Sequence, residues 1–195
     1  MVSLSNRHQL AVGTLLFVLL AITRGHHFPT LVHLVPSASL AVFFLAGTYL
    51  RPAWALPALL GVAGFLDYAA ITWGEVSDFC VSPAYVALLP AYGALWLAGR
   101  WYAGHHRLNP ATLLALGTAV LVGTAVYELL SSGGFYFFSG RFTAPTLLGF
   151  ADRFVIYFPR SLQSMLFWVV VAALAHAASL TLRVRPYQRG QTLPR

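Results

Sequence analysis

One stretch decides the fold class: ATLLALGTAVLVGTAVYELL, which runs from Ala111 to Leu130 and contains one charged residue, Glu128. An α-helix needs about 20 such residues to cross the roughly 30 Å of hydrocarbon in a bilayer. Similar apolar stretches recur along the chain, and the predicted spans cover residues 10–22, 31–50, 53–71, 84–103, 111–130 and 162–182. The sequence therefore predicts an all-α polytopic membrane protein with six transmembrane helices in a single transmembrane domain, residues 1–195.

The composition agrees with a surface that faces lipid. Apolar residues make up 58% of the 195 residues and charged residues 9%, whereas a soluble domain carries about 25% charged residues. The twelve basic residues are all Arg. They are scattered singly between apolar runs, which is typical of loop anchors and not of a nucleic-acid-binding patch. We therefore expect the lipid bilayer as a partner and exclude nucleic acid.

The first apolar stretch, residues 10–22, has two interpretations. It follows Arg7 and is about as long as the core of a signal peptide. No A-x-A-like cleavage site follows, since the next residues are Thr23, Arg24 and Gly25. We interpret the stretch as a short first span.

The placement of Arg predicts the orientation. With the N-terminus inside, the inner segments hold eight Arg and the outer segments hold four, which are Arg24, Arg141, Arg153 and Arg160. Cytoplasmic loops are enriched in Arg, so both termini are predicted to lie in the cytoplasm, in a bacterial inner membrane. All five acids then fall in the outer half or in outer loops: Asp67, Glu75, Asp78, Glu128 and Asp152. Such a polar cap is expected of a protein that admits a polar ligand from outside.

The sequence Ser131-Ser132-Gly133-Gly134 predicts a break after the fifth span. Residues 131–150 are accordingly predicted to form an outer loop. The aromatic run Phe135–Phe138 is too short to span the membrane. It fits an interfacial belt or a lid over an outer cavity.

Cys80 is the strongest candidate for chemistry. It is the single cysteine, which excludes an intrachain disulfide and a multi-cysteine metal site. The nearby Glu75 and Asp78 disfavour an ordinary nucleophilic thiolate, which needs positive surroundings. A metal ligand is still compatible, because a coordinating metal deprotonates the thiol and thiolates suit soft transition metals. The structural alternative is a buried cysteine that packs as a small hydrophobe.

Two acids lie inside predicted spans, and ionisable residues in a membrane are functional candidates by default. Asp67 and Glu128 are both near the outer ends of their spans. The structural alternative is that they pair with Arg153, Arg160 or a histidine and hold helices together. Tyr68 and Tyr85, at similar depth, are predicted to be interface anchors or to line a pocket.

The placement of these features resembles the BtuM family, cobalamin-specific S-components of the energy-coupling-factor transporter type. The size, the short first helix and the single cysteine before the fourth span carry the resemblance over the whole chain. It is strongest in VSDFCVSPAY, Val76 to Tyr85, with support from HHFPT, His26 to Thr30. The resemblance implies an S-component-like bundle that takes up cobalamin or cobinamide through an outward-facing cavity, with Cys80 as an axial ligand of cobalt.

Ligation of cobalt by Cys80 leads to two further predictions, a set of binding residues and a reaction. Carboxylates, hydroxyls and Arg of the outer cap are expected to meet the amide edge of the corrin, since buried polar groups need partners. They are Asp67, Tyr68, Asp78, Tyr85 and Arg153. Because a thiolate is a strong donor that weakens the ligand opposite to it, Cys80 is predicted to assist the removal of the upper cyanide of cyanocobalamin. The alternative is that Cys80 only grips the cobalt.

The chain departs from the wider class at the docking motif. An energising module is the implied partner, but the A-x-x-x-A motif of the first helix is absent, since Leu15 stands four residues after Ala11. The chain also has no P-loop, so no ATP site is predicted. Two other functions stay open. One is a haem- or metal-handling membrane redox protein with His33 or the His26–His27 pair as ligands. The other is a structural protein in which Cys80 has no role.

Overall fold

The computed structural model describes residues 6–24, 35–73, 82–106 and 111–189. Within these ranges the chain forms six α-helices and contains no strand. They are α1 (Asn6–Arg24), α2 (Ser39–Tyr49), α3 (Ala55–Trp73), α4 (Leu88–His105), α5 (Ala111–Phe138) and α6 (Leu147–Arg189). A short 3₁₀ helix, Pro83–Ala87, leads directly into α4. The all-helical prediction is confirmed.

Four segments of the described helices are long and apolar enough to cross a membrane: Asn6–Arg24, Ala55–Trp73, Thr112–Phe138 and Leu147–Ala178. Their outward faces expose large apolar side chains, and Leu113, Leu147 and Val155 are each more than 70% exposed. A surface of this kind suits lipid and not water. The 11 residues of α2 rise only about 16 Å, and α4 is less apolar than those four segments. The structure is that of a helical membrane protein with four clear candidate spans in the described ranges.

Helix α2 lies at the centre of the bundle, because every residue from Ser39 to Gly47 is buried. It packs most extensively against α4. A Cβ atom added to Gly47 would lie 2.0 Å from the Trp96 carbonyl oxygen, and one added to Gly99 would lie 2.0 Å from the Phe44 carbonyl oxygen. Glycine at both positions therefore lets the two backbones touch, as is common between membrane helices.

The second predicted span, residues 31–50, is wrong at its start. Residues 35–38 are not helical and α2 begins at Ser39, while residues 31–34 lie outside the described ranges. Pro36 disfavours a helical conformation at Val35. Side chains of the bundle satisfy the backbone here: Ala38 N–H donates to Thr23 Oγ1 (3.1 Å), and Trp168 Nε1 donates to the Pro36 carbonyl (2.8 Å). Non-helical backbone is tolerated inside a membrane protein when it is buried in this way.

The predicted break at residues 131–134 is also wrong, because α5 continues to Phe138. The Ser132 hydroxyl donates to the Glu128 carboxylate one turn earlier. A Cβ atom on Gly133 would lie 3.3 Å from the Phe150 ring, and one on Gly134 would lie 2.5 Å from Cβ of Ala87. The two glycines are thus packing positions and not a turn. The turn occurs later, where Gly140 has a φ of 71°.

The sixth span was predicted at residues 162–182, but α6 begins at Leu147. Residues 147–161, predicted to lie in the outer segment before the sixth span, form the first turns of this helix. Aromatic rings at four-residue spacing line one face, with centroids 6.2 Å apart for Phe150–Phe154 and 5.0 Å apart for Phe154–Phe158. The other predicted spans, residues 10–22, 53–71 and 84–103, differ from α1, α3 and α4 by a few residues at each end.

Candidate functional site

A polar cluster joins five parts of the chain at one end of the bundle, where α1 and α3 end and α4 begins. Its members are Arg24, Ser39, Asp67, Tyr85 and Tyr92. We call this set the Arg24 cluster. Each member comes from a different element: α1, α2, α3, the 3₁₀ helix and α4 respectively. The cluster therefore fixes the relative positions of these elements at this end.

The centre of the cluster is a bidentate ion pair. Arg24 Nε donates to Asp67 Oδ1 and Arg24 Nη2 donates to Asp67 Oδ2, both at 2.7 Å. Arg24 Nη1 donates to the Tyr92 hydroxyl at 2.7 Å and to Ser39 Oγ at 3.4 Å. The Tyr85 hydroxyl donates to Asp67 Oδ2 at 2.6 Å. Paired, parallel N–H···O bonds of this kind are among the strongest hydrogen bonds in proteins.

The burial of the pair is uneven. The Arg24 side chain is 11% exposed and the Asp67 side chain is 27% exposed. The guanidinium is enclosed by its partners and by the face of the Tyr92 ring, whose centroid lies 5.5 Å away. The carboxylate is more exposed than the guanidinium. The cluster thus presents a partly accessible, hydrogen-bonded acid at this end of the bundle.

The Arg24 cluster adjoins the two segments that hold the remaining predicted ligands. Arg24 is followed in the sequence by residues 25–34, with His26, His27 and His33, and α3 is followed by residues 74–81, with Asp78 and Cys80. These two segments lie outside the described residues. Both begin at helix ends that the cluster holds together.

The structure brings two of the predicted site residues together and places two elsewhere. Asp67 and Tyr85 are members of the Arg24 cluster. Tyr68, 61% exposed, faces outward with its ring edge-on to Trp73. Arg153 lies against the aromatic rings of Tyr136, Phe142 and Tyr157, at 4.8 to 5.7 Å from their centroids.

Glu128 does not pair with the predicted partners. The structural alternative named Arg153, Arg160 or a histidine for both acids, but Asp67 pairs with Arg24 and Glu128 is held by hydroxyls. Ser132 donates to Glu128 Oε1, and Ser161 of α6 donates to Glu128 Oε2 at 2.7 Å. The side chain is 3% exposed. Glu128 therefore joins α5 to α6 through neutral donors.

An apolar cavity in the described part of the molecule lies away from the Arg24 cluster. It is an apolar groove of about 570 Å³ between α1 and α3, lined mainly by residues from the first half of α1 and the first half of α3, with Leu50 and Trp54 beside them. None of the predicted site residues in the described ranges, Asp67, Tyr68, Tyr85 and Arg153, lines it. Its chemistry is that of a surface between apolar helices and not of a polar ligand site.

A group that contains two histidines lies at the other end of the bundle. The Tyr102 hydroxyl and His106 Nδ1 are 3.1 Å apart, and the His106 and His176 rings are 6.5 Å apart. Burial lowers the pKa of His106, and the neighbouring His176 lowers it further. Within the described ranges, no group of three or more His, Cys, Asp or Glu side chains is arranged to hold a metal ion.

Sequence reasoning missed Arg24 and Tyr92 as members of the site. Arg24 is predicted to lie in an outer segment, although it stands only two residues after the first apolar stretch, residues 10–22. An Arg and an Asp at corresponding ends of two neighbouring spans is the signal that identifies such a pair, since charges at membrane depth seek each other. Comparison of the sequence with protein-family models and with curated proteins finds no match.

Proposed function

We propose that the protein binds a corrinoid on the outer face of the bacterial inner membrane and serves its uptake, with the Cys80 thiolate on cobalt. In this proposal the chain crosses the membrane six times, with α2 and α4 contributing to the two crossings beyond the four clear candidates. Both termini are cytoplasmic, and the Arg24 cluster is at the periplasmic end. The bundle is of the S-component kind, and the substrate is cobalamin or cobinamide.

The Arg24 cluster is the observation that carries the proposal. It ties together the ends of α1 and α3 and the start of α4. In the sequence, these helix ends flank the stretches that contain His26, His27 and Cys80. A corrin edge carries amide groups, which need both donors and acceptors. The partly exposed Asp67 carboxylate and the hydroxyl of Tyr85 supply such groups next to the Cys80 segment.

A second observation supports a polar ligand near Cys80. The Ser82 hydroxyl is buried and has no hydrogen-bond partner among the described residues. It stands two residues after Cys80 in the sequence. Buried hydroxyls without partners are rare, because each costs free energy. An amide of a bound corrinoid would supply that partner.

We extend the proposal to a reaction at the same site, the removal of cyanide from cyanocobalamin. When the Cys80 thiolate ligates cobalt, it weakens the bond to the ligand on the opposite face. A thiol reductant from solution then supplies one electron, Co(III) becomes Co(II), and cyanide leaves with the electron pair of its bond. Cobinamide, which lacks the dimethylbenzimidazole base, leaves an axial position that Cys80 enters most easily.

The visible absorption spectrum of the bound corrinoid tests the function. Protein purified with cobinamide is expected to show a shifted corrinoid spectrum that Cys80→Ala protein lacks. With cyanocobalamin and a thiol reductant, the cyano spectrum is expected to decay with wild-type protein and to persist with Cys80→Ala. Ser77→Ala, in the same segment, is the matched control and should behave as wild type. Haem bands in the purified protein, or identical spectra for wild type and Cys80→Ala, would contradict the proposal.

A further inference from the structure

Glu128 is the most enclosed charged side chain in the described part of the molecule that lacks an ion-pair partner there. It is 3% exposed and lies in the candidate span Thr112–Phe138. Among the described residues, no Arg or His nitrogen approaches its carboxylate within 4.0 Å. An uncompensated carboxylate in a low-dielectric interior is costly, and such groups mark ion pathways in membrane proteins.

The oxygen atoms around Glu128 come from two helices and are of the kind that binds cations. Ser132 and Ser161 hold one carboxylate oxygen each. The two hydroxyl oxygens and the two carboxyl oxygens therefore form two hydrogen-bonded pairs, one within α5 and one between α5 and α6. Hard cations choose oxygen ligands of this type. Both hydroxyls are neutral, so neither brings a positive charge to the carboxyl group.

Thr124 gives an independent indication of a ligand. Its side chain is fully buried, and its hydroxyl has no hydrogen-bond partner among the described residues. It stands four residues before Glu128, and side chains at this spacing lie on the same face of a helix, about 5–6 Å apart at Cβ. Thr124, Glu128 and Ser132 thus form a polar stripe along α5, with one hydroxyl oxygen whose lone pairs are unused.

We propose that Glu128, Ser132, Ser161 and Thr124 form a sodium-binding site between α5 and α6. A single carboxylate balances one positive charge, which favours a monovalent ion. Calcium usually takes several carboxylates among its six to eight ligands, and the described residues hold no cluster of three acidic or histidine side chains. A bound sodium ion would neutralise Glu128 and use the oxygen of Thr124.

The position of the site suggests a use in transport. Tyr127 precedes Glu128, its ring centroid lies 5.3 Å from that of Tyr92, and the Tyr92 hydroxyl accepts a hydrogen bond from Arg24. We assign the sodium site a coupling role through α5, because Tyr127 connects this helix to the Arg24 cluster through Tyr92. This coupling role rests on the proposed uptake function, whereas sodium binding itself rests only on the residues around Glu128.

Thermal unfolding of the full-length protein without corrinoid tests the site. Sodium chloride is titrated against choline chloride at constant ionic strength, with potassium chloride as a parallel series. Wild-type Tm is expected to rise with sodium and to saturate, since a ligand that binds only the folded state stabilises it. Glu128→Gln and Ser161→Ala are expected to lose this rise, and Thr124→Val to weaken it.

Ser164→Ala is the matched control. It removes a hydroxyl from the same helix that donates instead to the Ser37 carbonyl, so its Tm is expected to start lower and still rise with sodium. A wild-type Tm that is the same in sodium and choline, or an equal rise in wild type and Ser161→Ala, would overturn the site. The second comparison holds even if Glu128→Gln does not fold.

Corrinoid binding measured with and without sodium separates this inference from the proposed function. Sodium-dependent Tm without corrinoid binding would leave the sodium site standing and overturn the uptake function. Corrinoid binding with no sodium response in Tm would leave the uptake function standing and overturn the sodium site. Responses to both ligands with corrinoid affinity independent of sodium would overturn the coupling role.

Discussion

Arg24 and Asp67 illustrate how a charged pair is accommodated inside an apolar bundle. Removing two charges from water costs several kcal/mol per ion, and only good geometry with further hydrogen bonds offsets it. The pair meets both conditions, since its two N–H···O contacts are 2.7 Å long and Tyr85 and Tyr92 supply the additional bonds. Removal of one partner leaves the other without compensation.

Asp67→Asn should therefore destabilise the protein by about 2–3 kcal/mol, at the low end for a buried pair because Asp67 is partly open. The measurement is the free energy of unfolding, or Tm, in detergent. Tyr68→Phe is the control, since its exposed side chain makes no bond to the cluster, and a change within about 0.5 kcal/mol is expected. Equal stability of Asp67→Asn and wild type would show that the ion pair contributes nothing.

The sequence predicted a role for Asp67 and Tyr85, but it did not predict the hydrogen bonds that join them in the Arg24 cluster. Arg24 and Asp67 are 43 residues apart, and no local pattern pairs residues at such a separation. Tyr68 was grouped with Asp67 because of its depth. Adjacent residues on a helix point in different directions, so one faces the bundle and the other faces lipid.

Helices α2 and α4 approach so closely that the contact depends on glycine. Gly99→Ala places a Cβ atom against the Phe44 carbonyl oxygen, and backbone cannot yield as a side chain does. We expect a loss of about 1–3 kcal/mol, the range for overpacked sites, seen as a lower Tm. Gly93→Ala, in the same helix, has no atom within 4 Å of its added Cβ.

Gly93→Ala should match or exceed wild-type stability, because alanine is favoured over glycine in a helix by about 1 kcal/mol. Both variants replace glycine with alanine in the same helix. The difference between their Tm values therefore excludes the effect of helix propensity. A Gly99→Ala protein as stable as Gly93→Ala would mean that α2 and α4 are farther apart than described.

The helix boundaries were hardest to predict where packing overrides local propensity. Ser131–Gly134 has the composition of a turn, yet Ser132 bonds to Glu128 and both glycines lie against neighbouring side chains. The charges of Asp152, Arg153 and Arg160 favour a loop, so the sequence does not predict that α6 begins at Leu147. Arg153 rests on aromatic faces instead, so a charged residue is compatible with a helix there.

Across the whole molecule, composition alone predicted a helical membrane protein. Lipid-facing helices need long apolar runs, and these are visible in any one sequence. Composition does not predict the number of membrane crossings. The buried helix α2 has 11 residues and is preceded by non-helical backbone whose polar groups are satisfied by α1 and α6. Such long-range compensation cannot be read from a hydropathy pattern.

The proposed orientation predicts from which side of the membrane a reagent reaches the single cysteine. Because eight Arg are assigned to the inner side and four to the outer side, Cys80 should react with a membrane-impermeant thiol reagent applied to intact spheroplasts. Added cobinamide should protect it. Labelling in inverted vesicles alone would mean that the chain is inserted the opposite way.

Calorimetric titration of wild-type and Cys80→Ala protein with cobinamide tests the central claim most directly. The account predicts that wild-type protein binds cobinamide and that Cys80→Ala binds it far more weakly or not at all. The Tm of the variant should stay close to wild type, since Cys80 stands in a segment predicted to be a loop and such changes usually cost within about 0.5 kcal/mol. Cys80→His should retain part of the affinity, because imidazole also ligates cobalt. Equal affinity of wild type and Cys80→Ala would contradict the account.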